Sequence, residues 1–212
     1  MKRSASSSRV ATILTAGNLL LLASLSPSFS SELRTLEHGS LRLSDGAVFS
    51  ERGGTITLND GDLLIDAKRE MNVICSQCQI RIERGAVVLV KATPEINEIS
   101  TLYARGSGDV HVAAGKKKVD VLEGERLYVG PQAADVIRIA RQSPGRRNVI
   151  KSDVQEGSLT LLLLETSPVA ILESNALLHE LKKGRSAEDR RLYNKLVKMA
   201  ACVTFVRARR TR

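Results

Sequence analysis

The sequence predicts a mainly β protein, with short paired strands in a β-solenoid or twisted β-sandwich and a helical pair at the C-terminal end. A strand–turn–strand pattern centred on glycine recurs along the chain. Helical spacing of apolar residues is absent between residues 33 and 164 and appears only after residue 168. With 212 residues, 42% apolar and 26% charged, the chain is long enough to fold around one core with an appendage.

The first thirty residues have the three-part layout of a secretory signal peptide. Three basic side chains precede an apolar stretch at residues 10–25, and serines occupy positions −3 and −1 if cleavage falls before Ser31. At about 1.5 Å per residue, this stretch is shorter than the roughly 30 Å hydrocarbon core of a bilayer. We therefore expect residues 1–30 to be cleaved after export to the periplasm or another extracytoplasmic compartment. An uncleaved N-terminal anchor is the alternative.

A glycine-centred unit recurs across the predicted β domain, residues 31–165. In each unit a strand ends, a glycine able to adopt a positive φ follows, and a new alternating strand begins. Its four close copies are LEHGSLRL, LNDGDLLI, IERGAVVL and VQEGSLTL, and VLEGERLYV is a looser fifth copy. Its predicted turn glycines are Gly39, Gly61, Gly85, Gly124 and Gly157.

The C-terminal part, residues 166–212, is predicted to hold two amphipathic helices and a basic tail. Apolar residues in 169–183 form one helical face, and a second such face begins after Ala187. Each helix should dock on the β part, on the other helix or on an outside surface.

The net charge of +9 is concentrated at the chain ends. Residues 141–212 hold 15 basic and 7 acidic side chains, a net charge of +8. This positive charge favours an anionic partner, here an envelope polymer or surface. An unknown envelope protein is the other expected partner. Nucleic acid is disfavoured because the chain carries an export signal and only 3% aromatic residues. Membrane contact is expected only transiently, through the signal segment. The candidate anionic-surface contacts are Arg207, Arg209, Arg210 and Arg212, although a frayed soluble tail is the simpler interpretation.

Cys75 and Cys78 are a candidate disulfide. The alternation of apolar residues changes phase between them, which predicts a turn over Ser76 and Gln77. The ends of a β-turn lie within 7 Å of each other, which is within disulfide range. In an oxidising compartment the bond would form, with a contribution of about 2 kcal/mol from so short a loop. Two packed free thiols are the main alternative.

Catalytic and metal chemistry find little support in the sequence. A thioredoxin-like redox pair needs a helix N-terminus in a βαβ context, which is not predicted around Cys75 and Cys78. A zinc site needs two further ligands, and neither Cys202 nor the three histidines have ligand spacing. Cys202 is expected to be buried on a helix face. Asp60 and Asp62 are expected to bond nearby backbone N–H groups at a tight turn.

Four stretches resemble the FecR domain family, at residues 58–65, 73–75, 80–86 and 119–129, and "LEGERLYVG" is the most distinctive. The resemblance covers roughly residues 55–130. It implies an extracytoplasmic β domain without catalytic residues or cofactors. We therefore expect a non-enzymatic exported module that binds, scaffolds or senses in the cell envelope. A membrane-anchored regulator of transmembrane signalling and an envelope thiol protein using Cys75 and Cys78 are the alternatives.

Overall fold

The computed structural model confirms a mainly β protein with short helices near the C-terminal end. The structure describes residues 32–104, 109–133, 135, 149–157, 159–166, 170–172, 175–183, 187 and 189–198. The strands are β1 (Glu32–Leu36), β2 (Gly39–Leu43), β3 (Val48–Arg52), β4 (Thr55–Ala67), β5 (Met71–Ile74), β6 (Gln79–Ile82), β7 (Val87–Ala92), β8 (Asn97–Tyr103), β9 (Val110–Ala114), β10 (Lys117–Asp120), β11 (Glu125–Gly130), β12 (Val149–Glu156) and β13 (Leu159–Glu165). Helix α1 spans Ala176–Lys183, and residues 170–172 and 189–198 are also helical.

The strands form two sheets that share β4. Sheet I has the order β1-β2-β4-β7-β8-β11-β13-β12, and sheet II has the order β3-β4-β5-β6-β9-β10. These pairings are antiparallel except that β5 runs parallel to the first half of β4. The chain thus passes from sheet II into sheet I along β4 and returns to sheet II in β5, like one coil of a solenoid.

Gly61 lies where β4 passes from one sheet to the other. Asp60 pairs with Val48 of β3, whereas Gly61 pairs with Ala92 of β7. The φ of Gly61 is +105°, and a Cβ at this position would lie 2.8 Å from the Cα and Cβ of Ala47. The prediction of a turn between two strands was therefore wrong at Gly61. The positive φ of Gly61 bends one continuous strand instead, and the two halves of that strand pair with strands of different sheets.

Three of the other repeat glycines lie in connections between strands, and the fourth begins a strand. Gly85, Gly124 and Gly157 adopt positive φ after β6, β10 and β12. Gly39 begins β2 without a positive φ. Its requirement is one of space, because a Cβ there would lie 2.5 Å from the backbone oxygen of Asp66.

The two sheets differ in how many of their faces are covered. Sheet II strands alternate buried and exposed residues, as in β5 and β6, because one face packs on the core and the other meets water. Sheet I strands hold runs of consecutive buried residues, such as 63–65 and 87–90. The inner face of sheet I packs against sheet II, and its outer face packs under the C-terminal helices.

Alternate residues of β4 attach the C-terminal helices to the outer face of sheet I. Asp62 accepts a hydrogen bond from the Nδ2 atom of Asn175 at 3.3 Å, Leu64 packs in the apolar cluster under the helices, and Asp66 pairs with Lys195 at 3.2 Å. A nearly buried ion pair between Arg42 and Asp189 lies beside them. No helix in the described residues has the length and apolar character needed to cross a membrane.

Helix α1 begins later than the predicted helix over 169–183. Asn175 is not helical, and its Oδ1 atom accepts a hydrogen bond from the N–H of Leu178 at 3.3 Å, as an N-cap residue does. The side chain of Asn competes with the helical backbone for hydrogen bonds, so it divides the predicted segment.

Gly61→Ala tests the bend in β4. We expect it to lower the free energy of unfolding by about 2–5 kcal/mol, since a clash with Ala47 adds to the strain of positive φ. Gly46→Ala is the matched control, because Gly46 has a φ of +75° and open space around it. Its free energy of unfolding should fall by only about 1–2 kcal/mol, with both variants measured by urea titration. Equal losses would contradict the close approach.

Asp62→Asn tests the buried carboxylate under α1. Burial raises the pKa of Asp62, against the opposing effects of Lys91 and Asn175. The folded state therefore takes up the proton more readily than the unfolded state, and stability falls as pH rises above 3.8 through the raised pKa. We expect urea titrations from pH 4 to pH 7 to show a smaller loss for Asp62→Asn than for the parent chain. The exposed control Asp45→Asn should keep the pH dependence of stability of the parent chain. If both variants show the same pH dependence, the assignment of this effect to Asp62 is refuted.

Candidate functional site

Cys75 and Cys78 close a four-residue loop between β5 and β6. The N–H of Cys75 donates to the carbonyl oxygen of Cys78 at 2.9 Å, and Ile74 pairs with Gln79 just outside the loop. The loop lies where the change in alternation places it. Both side chains are buried in the core between the sheets, and both are free thiols in this structure.

The fully buried Asn97 holds the loop on sheet I. Its Oδ1 atom accepts hydrogen bonds from the N–H of Gln77 at 3.0 Å and from the thiol of Cys78 at 3.7 Å. Its Nδ2 atom donates to the hydroxyl of Ser76 and to the carbonyl of Thr93, both at 3.4 Å. These bonds also satisfy the amide of Asn97, which would otherwise be unpaired in the core.

The environment of Cys78 favours its protonated thiol. The hydrogen bond between Cys78 and Cys75, followed by burial, holds the pKa of Cys78 well above its usual range. Because the thiolate is the nucleophile in thiol chemistry, Cys78 is poorly reactive in this arrangement. The loop therefore has the features of packed structural cysteines, and the disulfide between them remains a prediction.

Other predicted site residues are not brought together with the cysteines. Cys202 and the tail arginines Arg207, Arg209, Arg210 and Arg212 lie outside the described residues. Among the residues that the structure describes, the side chain of Asp62 bonds Asn175 and not a turn backbone as expected, because Asp62 lies inside β4. Within the described part of the chain, no three His, Cys, Asp or Glu residues are grouped to hold a metal ion.

The exposed face of sheet II carries a groove of about 590 Å³. Cross-strand register places one polar residue from each of five neighbouring strands in a transverse row. At about 4.8 Å per strand this row spans about 19 Å. Its members are Thr55, Asn72, Arg81, His111 and Asp120.

Neighbouring charges orient the side chains of the row. Arg81 bonds Glu70 at 2.8 Å and Glu83 at 2.9 Å, and the Nδ1 atom of His111 lies 2.7 Å from the Oδ1 atom of Asp120. The row thus offers fixed donors and acceptors to a polar ligand. All of these side chains remain partly open to water.

A second row beside the first adds an apolar contact and a cation. Cross-strand register aligns its four members, which are Ile74, Gln79, Ala113 and Lys118 of β10. Ile74 is 37% exposed and supplies the apolar surface of this row. Among the described residues β10 pairs on one side only, with β9, so the groove ends at a sheet edge with open backbone groups.

Sequence reasoning missed this groove. The alternation of buried residues along β6 and β9 places Arg81 and His111 on the face away from the core. The pairing of strands that are distant in the chain, such as β6 with β9, is what aligns them. That register has no local signal in the sequence.

Comparisons with known proteins give distant structural similarity and no family. No family model matches the chain, and no curated protein matches it. Two solved structures are similar, each of a "putative anti-sigma factor" from Parabacteroides distasonis ATCC 8503. The first is 19% identical with a TM-score of 0.40, over 48% of this chain and 51% of that one. The second is 16% identical with a TM-score of 0.40, over 68% and 85%. The chain spans about half the length of the first.

The reactivity of Cys75 and Cys78 tests their environment. In a reduced Cys202→Ser chain, we expect Ellman's reagent at pH 8 to react at least about tenfold more slowly with the native protein than with the urea-unfolded protein, because both native thiols are buried and the pKa of Cys78 is raised. A Cys75→Ser, Cys78→Ser chain that keeps Cys202 supplies the background rate. Rapid labelling of the native pair would show that one thiol is activated, and would favour a redox role.

Proposed function

We propose that this chain is a non-enzymatic, exported FecR-like domain protein that binds a partner protein in the cell envelope, as a scaffolding or sensing module. The observation that carries the proposal is the groove on sheet II, which runs across five strands to the open edge at β10. Ordered polar side chains and one exposed aliphatic side chain in a shallow groove suit an extended polypeptide segment.

The chemistry of the edge selects the kind of segment. The residues Lys116, Lys117 and Lys118 are exposed on β10 and the turn before it. A partner strand that adds to β10 would form main-chain hydrogen bonds, and acidic side chains on it would pair with these lysines. Lysines at an edge also disfavour pairing between two copies of the same chain, which leaves the edge for a partner of opposite charge.

Sequence features support the location and the absence of catalysis. The basic, apolar and small-residue order of residues 1–30 supports export, and the motifs over residues 55–130 support membership of the FecR domain family. The burial of both Cys75 and Cys78 supports a structural role for the pair, because a reactive thiol needs access to its substrate.

A membrane-anchored regulator is the second candidate. The apolar stretch at residues 10–25 supports it if the chain retains this stretch after export. The same groove would then bind a partner on the outer side of the membrane, and occupancy would be relayed through the anchor.

Photo-crosslinking from the groove in living cells tests the binding function. A benzoylphenylalanine at Ile74 should form an envelope-fraction adduct, because Ile74 is exposed in the groove. Lys118→Glu should abolish that adduct by reversing the charge at the edge. Val48, also aliphatic and 53% exposed but on β3, is the matched control position and should form none.

The outcomes separate the candidates. Equal adducts from Ile74 and Val48, or none from Ile74, would contradict a binding role for the groove.

The intact mass of the same protein, taken without reductant, reports on processing. A chain that begins at Ser31 and lacks two hydrogens would support export and the Cys75–Cys78 disulfide. A full-length chain in the membrane fraction would favour the anchored regulator.

A further inference from the structure

A basic pocket lies on the outer side of sheet I, away from the groove of sheet II. Its volume is about 530 Å³. It is formed by the end of β4, the β6–β7 turn, the end of β8 and the C-terminal helical segment at residues 189–198. Its polar lining side chains are Asp66, Lys68, Arg84, Tyr103 and Lys195.

The backbone fixes the two turns that carry Lys68 and Arg84 side by side. The N–H of Gly85 donates to the carbonyl of Ala67 at 2.7 Å, and the N–H of Ala67 donates to the carbonyl of Ala86 at 3.1 Å. Lys68 directly follows Ala67 in the chain, and Arg84 directly precedes Gly85. Their proximity is therefore set by main-chain pairing and does not depend on flexible side chains alone.

The C-terminal segment supplies the third cation. The Nζ atom of Lys195 lies 3.2 Å from the Oδ2 atom of Asp66, so this lysine is held at the rim of the pocket. Asp66 is the single carboxylate among the lining residues, against three cations. The pocket thus has a net charge of +2, and neither Lys68 nor Arg84 has an ion-pair partner in the described residues.

The basic surface continues from the pocket along the helical segment. A second hollow of about 550 Å³ is lined by Arg191, Asn194, Lys195 and Lys198. Lys195 belongs to both, so cations from sheet I and from the helical segment form one continuous field. Such a field raises the local concentration of anions at the pocket.

We propose that this pocket binds a phosphate monoester or free phosphate, as the dianion. Phosphate carries a charge of about −1.5 to −2 at pH 7, which matches the pocket's charge of +2. The guanidinium of Arg84 can donate two parallel hydrogen bonds to phosphate oxygens, and the two lysines complete the charge. The bound dianion joins the β turns to Lys195, so it also strengthens the docking of the C-terminal segment on sheet I.

Titration of the full-length chain with inorganic phosphate tests the site. We expect saturable heat in calorimetry at constant ionic strength, and a higher melting temperature in phosphate than in chloride. Arg84→Ala and Lys68→Ala should each weaken phosphate binding by about tenfold, because a charge-assisted hydrogen bond is lost. Arg52→Ala removes an exposed cation of β3, outside the pocket lining, and should leave phosphate binding unchanged.

Vesicles identify the source of the phosphate group. Phosphatidylcholine vesicles are doped with phosphatidic acid, which carries a monoester, or with phosphatidylglycerol, a diester, at matched surface charge. A preference for phosphatidic acid that Arg84→Ala removes would support a lipid headgroup as ligand, and phosphate binding without that preference would support free phosphate. The proposal is overturned if neither is seen, or if Arg52→Ala weakens binding as much as Arg84→Ala does.

Discussion

The bend of β4 at Gly61 is the constraint on which the rest of the structure depends. One half of this strand pairs with β3 and β5, and the other half pairs with β2 and β7. Both sheets are therefore aligned through a single backbone, and the core forms between them. Because Ala47 approaches the bend so closely, only a glycine fits there without displacement of the segment before β3.

The outer face of the same strand sets the position of the helices. Asp62 and Asp66 are polar residues on a largely apolar face, and each meets one partner from the C-terminal part. The nearly buried pair of Arg42 and Asp189 adds a third contact of this kind. The Arg42–Asp189 pair contributes little net stability because desolvation offsets its attraction, but a displaced helix would leave the buried Arg42 without this partner. These contacts therefore select one docked arrangement among the many that apolar packing alone would allow.

Local features of the fold could be predicted from the sequence, and features set by distant pairing could not. The phase change between Cys75 and Cys78 indicates the loop, because alternation is read within a few residues. The sequence pattern predicts a turn at Gly61 because its neighbours match those of Gly85, and only the pairing of the two strand halves distinguishes them. The basic pocket has no sequence signal, since Lys68, Arg84 and Lys195 meet only after both sheets and the helical segment are in place.

Sheet I is covered on both faces, and this has a practical consequence for work with the protein. The boundary after residue 165 separates strands from helices in the sequence, yet Leu64, Leu89 and Leu102 share one apolar cluster with Leu178 and Leu181. A chain truncated at that boundary would expose the leucines of sheet I as a continuous patch, the kind of surface that drives self-association. The strands and the helices are thus a single unit for expression, although their sequence patterns divide them.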